Sequence, residues 1–291
     1  MKNYFSKIGN LYSEVKHYNT EPEYFVEGYQ SGCYYEIYVN DFLVFKHYEN
    51  VGLANHAVSI NSKILKSGPQ KITIKLFPLG EIDGENYTTI DPDDSFRLKI
   101  FSRDKQKPYK AFDYDFLQEH KVDIKTSVPY FEETITFNAE VPYTLEGWSN
   151  SQVLTEIDQD VLEQEVLLFY NKFSNTVSKK EKSVWENEIY NREKEIAFSR
   201  YFNEDDSKRI ADDLSLSLQS EYLEVLPIEN YNMVFYGNGR IVKLESKKFK
   251  KKSALISIEE RDSNGQPRKA YIFHGLALHK PKGSNKLEII R

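Results

Sequence analysis

The sequence predicts a mainly β chain with an α+β second half. The N-terminal part reads as an antiparallel β-sandwich, and the remainder as three helices followed by a curved antiparallel sheet. Three observations carry this expectation. Polar and apolar residues alternate at the two-residue period of strands in the segments before residue 148 and after residue 230. Between them, Thr155 to Glu221 is the one stretch with apolar residues at helical spacing. The chain also holds 21 Tyr and 18 Phe against two Trp and two Met, and planar side chains pack well on pleated surfaces. With 291 residues the chain is long for one domain, at roughly 100–200 residues per domain. Domains are expected at residues 22–148 and 152–291.

Residues 1–30 are tyrosine-rich and weakly patterned, and they read as an arm with one strand. The first clear strand is Tyr34 to Val39, where Tyr35, Ile37 and Val39 alternate with Tyr34, Glu36 and Tyr38. Asn40-Asp41 then forms a tight turn, because both residue types tolerate positive φ, and Phe42 to Phe45 returns as a hairpin partner. Lys71 to Leu76 repeats the alternation, with Ile72, Ile74 and Leu76 on one face. Further strands are expected at Phe96 to Phe101, Glu133 to Phe137 and Glu140 to Tyr143. Turn clusters such as Ser67-Gly68-Pro69, Pro78-Leu79-Gly80 and Asp91-Pro92-Asp93-Asp94 separate them, the pattern of an antiparallel sandwich. Gly147 to Ser151 reads as the linker.

In the helical stretch, Leu162, Val166, Phe169 and Phe173 share one helix face. Ser178-Lys179-Lys180-Glu181 reads as a capping box opening a second helix, with Trp185, Ile189 and Ile196 as its stripe around Arg192. A third helix is expected from Asp205 to Tyr222, ahead of Pro227. The period then returns to two. Met233 and Phe235 lead into the turn Gly237-Asn238-Gly239, and Ile241, Val242 and Leu244 run back. Strands follow at Ala254 to Ile258, from Ala270 to His274 and on through Leu278, and at Leu287 to Ile290, with a turn at Asp262-Ser263-Asn264-Gly265.

Net charge is −6, so bulk electrostatics disfavour nucleic acid and anionic membranes as partners. The distribution says more than the sum. Residues 151–222 carry 16 acidic and 9 basic side chains, a net of −7, whereas residues 240–291 carry 5 acidic and 14 basic, a net of +9. Either the two segments partly cancel against each other, or the basic one meets an acidic partner. Cys33 is the single cysteine, which excludes an internal disulfide and suits a reducing compartment. The first residues lack the apolar core of a secretory signal and no run reaches the roughly 18 apolar residues of a membrane span. The expected location is cytoplasmic.

Candidate chemistry thins out on inspection. His274 and His279 lie five apart, which on one strand sends them to opposite faces, so a shared metal needs a bend at Gly275. The acidic loop from Glu81 to Asp94 lacks the ligand order of an EF-hand. No Gly-x-Ser-x-Gly elbow, dinucleotide fingerprint or Walker loop occurs. Neither catalytic nor cofactor-binding residues are expected. The strongest local signal is Lys247-Lys248-Phe249-Lys250-Lys251-Lys252, which suits either a solvated hairpin loop or a site for an acidic partner, and phosphate contacts are the lesser possibility. The candidate partner- or ligand-binding residues are Lys247, Lys248, Phe249 and Lys250 of this run, with the aromatic and turn residues Trp185, Tyr190, Tyr236 and Arg240.

Three helices followed by a curved meander make the second half similar to the NTF2-like (cystatin-like) class, although that class inserts a strand among its helices. The whole plan resembles the cytoplasmic immunity proteins that protect bacteria from secreted toxins such as type VI secretion effectors. The segments that carry the resemblance are Tyr35-Glu36-Ile37-Tyr38-Val39-Asn40, Tyr236-Gly237-Asn238-Gly239-Arg240-Ile241-Val242 and Lys286-Leu287-Glu288-Ile289-Ile290-Arg291. The resemblance implies a noncatalytic protein that binds and neutralises a cognate toxin or effector. The NTF2-like likeness implies the alternative, a small-ligand binder or enzyme with a pocket between helices and sheet.

Overall fold

A computed structural model describes residues 5–53, 56–108, 110, 113–263 and 266–291. The chain is α+β with several antiparallel sheets and divides into two compact units, His17–Leu145 and a second built from Met1–Lys16 together with Glu146–Arg291.

Among its described residues the unit His17–Leu145 holds ten strands: β1 (Pro22–Ser31), β2 (Cys33–Val39), β3 (Phe42–His47), β4 (Val58–Ser59), β5 (Gly68–Pro78), β6 (Gly80–Ile82), β7 (Glu85–Tyr87), β8 (Ser95–Asp104), β9 (Asp115–Val122) and β10 (Phe131–Ala139). One sheet runs β4-β1-β8-β9 and a second β10-β5-β2-β3, with β6 and β7 as a separate hairpin. Asn40 and Asp41 take φ of 49° and 66° at the β2–β3 turn, the double positive φ that matches strand twist. Ile72, Ile74 and Leu76 of β5 are buried. Tyr35 links the two sheets: its ring lies 4.9 Å from that of Phe96 and its hydroxyl donates to Gly28 O at 3.1 Å. A Cβ at Gly28 would sit 2.8 Å from the Tyr35 ring, so glycine there lets the layers close.

Three places in this half differ from, or refine, what the sequence suggests. The one strand expected within residues 1–30 is β1, but it is a full sheet member rather than part of an arm, pairing with β8 from Pro22 to Ser31. Glu140 to Tyr143 is not a strand, because Glu140 N–H donates to the Tyr24 hydroxyl and Val141 N–H to Ser67 Oγ instead of to a ladder. The carboxylates from Glu81 to Asp94 are divided between the β6–β7 hairpin and a turn in which Asp94 Oδ2 accepts from Asp91 N–H at 2.8 Å.

The other unit contains α1 (Ser6–Gly9), a 3₁₀ turn (Leu11–Glu14), α2 (Gln159–Ser178), α3 (Lys182–Ser199), α4 (Glu204–Gln219), β11 (Leu223–Val225), β12 (Tyr231–Tyr236), β13 (Ile241–Ser246), β14 (Ile256–Ser263), β15 (Gln266–Phe273), β16 (Ala277–His279) and β17 (Glu288–Ile290). α2 starts on Asp158, whose carboxylate accepts from Asp160 and Val161 N–H, satisfying donors the helix leaves open. It buries Leu162, Val166, Tyr170 and Phe173. Ser178 closes α2 and caps nothing: α3 begins at Lys182 with no side-chain cap. The capping box belongs instead to α4, between Asn203 and Asp206. Among the described residues no helix is long and apolar enough to cross a membrane.

The single curved sheet expected here is two sheets, β11-β14-β15 and β12-β13-β16-β17. The chain leaves the first at Phe273 and joins the second at Ala277, across Gly275. The turn residues Asn264 and Gly265 lie outside the described residues. Gly147 to Ser151 is no free linker: Trp148 is buried and Gly147 N–H donates to Glu195 at 3.0 Å. Gly237 and Gly239, with φ of 61° and 78°, let the β12–β13 turn lie against it; a Cβ on Gly237 would come 3.0 Å from the Trp148 ring. The N-terminal segment also belongs here. Phe5, Ile8 and Leu11 join the core, and one carboxylate oxygen of buried Glu186 accepts from Lys7 and Ile8 N–H at 2.6 and 3.1 Å.

Candidate functional site

The lysine run lies in the connection from β13 to β14, and its backbone is tightly built. Ser246 N–H donates to Lys252 O and Lys252 N–H to Phe249 O, at 2.9 and 3.0 Å. Ser246 Oγ accepts from Lys248 and Phe249 N–H, and Lys251 turns the chain with φ of 58°. Lys247, Lys248 and Lys250 are exposed as a result, while Phe249 is half-buried.

What Phe249 packs on decides the character of the surface. Its ring lies 5.4 Å from Tyr271 and 5.1 Å from Phe273 of β15. Tyr271 remains 49% exposed. Strand register explains why these rings share a face: Glu224, Ile258 and Tyr271 pair directly across β11, β14 and β15, and Ile256–Phe273 and Glu260–Lys269 are the pairs on either side. Alternate residues share a side, so this outer face carries Tyr271, Phe273 and Lys269. Lysines lie over the rings: Lys248 is 5.2 Å from Phe249, Lys252 is 5.5 Å from Phe273 and Lys269 is 3.6 Å from Tyr222. Each such contact is worth about 0.5–1 kcal/mol at an exposed site, enough to hold the cations over the aromatic surface. The acidic neighbours are Glu245, which pairs with Lys251 at 3.7 Å, and Glu224 and Glu260 on the sheet.

The opposite face of the same sheet meets the helices. Leu223 and Val225 pack on the core there, and Ser257 and Glu259 are wholly buried. Ser257 Oγ donates to Glu259 at 2.6 Å and lies 2.8 Å from His274 Nε2. A hydroxyl has one proton to donate, so His274 Nε2 is the donor to Ser257. The proton order is thus His274 to Ser257 to Glu259, the reverse of a nucleophilic triad, in which serine donates to histidine and the acid holds the other ring nitrogen. The chain orients the His274 ring, which meets Trp185 edge-on at 5.6 Å.

His274 and Trp185 line a cleft of about 180 Å³ between α2, α3, α4 and the end of β15. Phe173, Ile189, Leu214 and Ile272 supply its apolar surface, and Arg192, Asp213 and Ser217 bring polar groups. Arg192 interrupts the apolar stripe of α3 because its guanidinium is used: Nε donates to buried Glu193 at 2.6 Å and Nη1 to Gly275 O at 3.1 Å. His279, the other half of the sequence pair, is elsewhere and hydrogen-bonds Ser151 Oγ at 2.7 Å. Burial pushes its imidazole down to a pKa of about 4.

The eight candidate residues do not converge. Lys247, Lys248, Phe249 and Lys250 form the rim and anchor of the outer face. Trp185 is a core residue that touches the cleft. Tyr190 is half-buried and donates to Glu14, and burial raises its phenol to about 12. Tyr236 is buried and donates to Glu245, so it is removed from the exposed set. Arg240 is half-buried and donates to Ser151 O, holding the β12–β13 turn in place. Lys269, Tyr271 and Phe273 of the face and Arg192, Asp213 and His274 of the cleft are not among the eight candidates, although the sequence singles out His274 for its spacing to His279 and Arg192 as the break in the α3 stripe. Alternation along β15 places Lys269, Tyr271 and Phe273 on one side, and that was the signal for the face. Nothing local marks the cleft, whose residues come from four elements. No family model, no curated protein and no solved structure matches the chain significantly.

Proposed function

We propose that the chain is a binding protein whose basic aromatic face, Phe249, Tyr271 and Phe273 with Lys247, Lys248, Lys250 and Lys269, docks an acidic protein. One observation carries the proposal: an aromatic cluster in which Phe249 packs on both half-exposed Tyr271 and Phe273, with lysines over Phe249 and Phe273. Aromatic anchors supply most of the affinity in protein interfaces, and the surrounding charges speed encounter and select the partner. The resemblance to cytoplasmic immunity proteins names the class of that partner, a toxin or effector domain whose working surface the bound chain would cover. On that proposal the protein acts without catalysis and in the cytoplasm. The finer fold assignment, a β-sandwich followed by an NTF2-like domain, belongs to the same proposal. It is supported by two facing four-stranded sheets and by helices preceding a meander, and the division of that meander into two sheets is its main departure.

The test is co-production with the product of an adjacent gene encoding a toxin domain. Wild-type chain is expected to bind it and restore growth, whereas Tyr271→Ala combined with Lys247→Glu and Lys248→Glu loses both at unchanged fold. Full protection by that triple variant would refute the assigned face. A preference for single-stranded oligonucleotide over the protein would assign the lysines to phosphate.

A further inference from the structure

The cleft between α2, α3, α4 and β15 shares Phe273 with the outer face but is otherwise lined by different residues, and its chemistry points to a ligand of its own. At about 180 Å³ it is smaller than the roughly 300–1,000 Å³ of sites for cofactors and drug-sized molecules. It holds about six waters' share of liquid volume, at about 30 Å³ each. The occupant is therefore a small metabolite.

The lining says which kind. The apolar surface from Phe173, Trp185, Ile189, Leu214, Ile272 and Leu276 suits a branched or aromatic hydrocarbon group. Two opposite charges border it. Arg192 is fixed by Glu193 through Nε and by Gly275 O through Nη1, and among the described residues neither bond engages Nη2. That edge is preset to donate to a carboxylate. Asp213 is exposed and lines the same cleft. Asp213 would repel a simple carboxylic acid, and a simple amine would leave the open Nη2 edge of Arg192, whose charge Glu193 already balances, unused, so a ligand carrying both charges next to an apolar group satisfies the lining best. We infer that the cleft binds a free α-amino acid with a branched aliphatic or aromatic side chain. Its carboxylate meets Arg192, its ammonium meets Asp213, and its side chain packs on Trp185.

Calorimetry on the full chain tests this with four probes: leucine, phenylalanine, 4-methylpentanoate, which lacks the ammonium, and leucinamide, which lacks the carboxylate and stands for a peptide N-terminus. Leucine or phenylalanine is expected to bind, with both single-charge analogues weaker by about tenfold or more, as loss of one charged hydrogen bond requires. Asp213→Asn alters an exposed residue, so the fold should survive. It is expected to weaken the amino acid about tenfold and to leave 4-methylpentanoate unchanged or tighter. Leu214→Phe, which narrows the cleft, should weaken every ligand. The inference is overturned if neither amino acid binds at up to about 10 mM, the weak end of measurable affinity. Equal binding of leucinamide and leucine overturns it in favour of a peptide N-terminus, and insensitivity to Asp213→Asn places the ligand elsewhere.

Discussion

Tyr170→Phe removes one oxygen from the centre of the α+β unit, and the structure sets the cost. Tyr170 is buried on α2; its hydroxyl donates to Leu276 O at 2.7 Å and accepts from Leu244 N–H at 3.0 Å. One side chain thereby connects the helix to β13 and to the segment that carries the chain from one sheet into the other. Burial keeps the phenol protonated well above the ordinary tyrosine range, so the donor persists at any working pH. Phenylalanine preserves the ring, so packing is unchanged. What remains is a buried carbonyl and a buried N–H without their partner, about 1–3 kcal/mol each, and a total of about 2–4 kcal/mol allowing for relaxation. For a unit of this size the unfolding temperature falls by roughly 4–16 °C, at about 2–4 °C per kcal/mol. Both tryptophans, Trp148 and Trp185, are in this unit, so urea unfolding followed by tryptophan fluorescence reads it directly. The midpoint should fall with little change in slope. A loss below about 0.5 kcal/mol, the level of a neutral surface substitution, would refute the role assigned to this hydroxyl.

Glu186→Ala removes the shared acceptor of Lys7 and Ile8 N–H. It is expected to cost about 1–3 kcal/mol and to raise hydrogen exchange at residues 7 and 8, whereas Glu186→Gln keeps an acceptor and should lose less than half as much. For His279, the folded pKa of about 4 lies below the ordinary value of 6.5. The unfolded chain therefore binds the extra proton first, and stability is full above about pH 6.5 and declines as pH falls to about 4, by up to about 3 kcal/mol. His279→Asn, measured by urea unfolding at several pH values, should flatten that slope; an unchanged slope would assign the acid sensitivity to other groups. Cys33 is buried in the unit His17–Leu145, and burial raises its thiol to about 12. Ellman's reagent should react with it only as that unit unfolds, and rapid labelling of the native protein would contradict its burial.

Elements with strong local period were legible in the sequence. β5 buries alternate residues and α2 every third or fourth, whereas β2, expected to alternate, buries every residue but Tyr34. β9 was missed because most of its side chains are exposed, which leaves no alternation to detect. Ser178-Lys179-Lys180-Glu181 matches a capping pattern that the chain does not use, and the box that it does use, Asn203 with Asp206, has Asn and Asp in place of the Ser/Thr and Glu/Gln of the usual pattern. The N-terminal segment carries little sequence signal because its helix has four residues, and its burial depends on Trp185 and Glu186 far along the chain. The segment charges were half informative: Lys280 and Arg291 of the basic segment pair with Glu165 and Glu195 of the helices, while the lysine turn keeps an exposed positive face. The candidate face was visible in part, since the lysine run marks its rim. Its anchor, Tyr271 with Phe273, required the register of β14 against β15. A pocket between helices and sheet is expected from the sequence as an alternative, but which residues line the cleft required tertiary structure.

The central claim is that the outer face of the β11-β14-β15 sheet docks an acidic protein. Hydrogen exchange on the chain bound to the protein it captures from its native source, compared with capture by Tyr271→Ala, measures this most directly. The expected result is an acidic partner that protects residues 247–252 and 268–273, dissociates as salt screens the lysines and is not retained by the variant. Equal capture by both chains, or protection confined to the unit His17–Leu145, would contradict the claim.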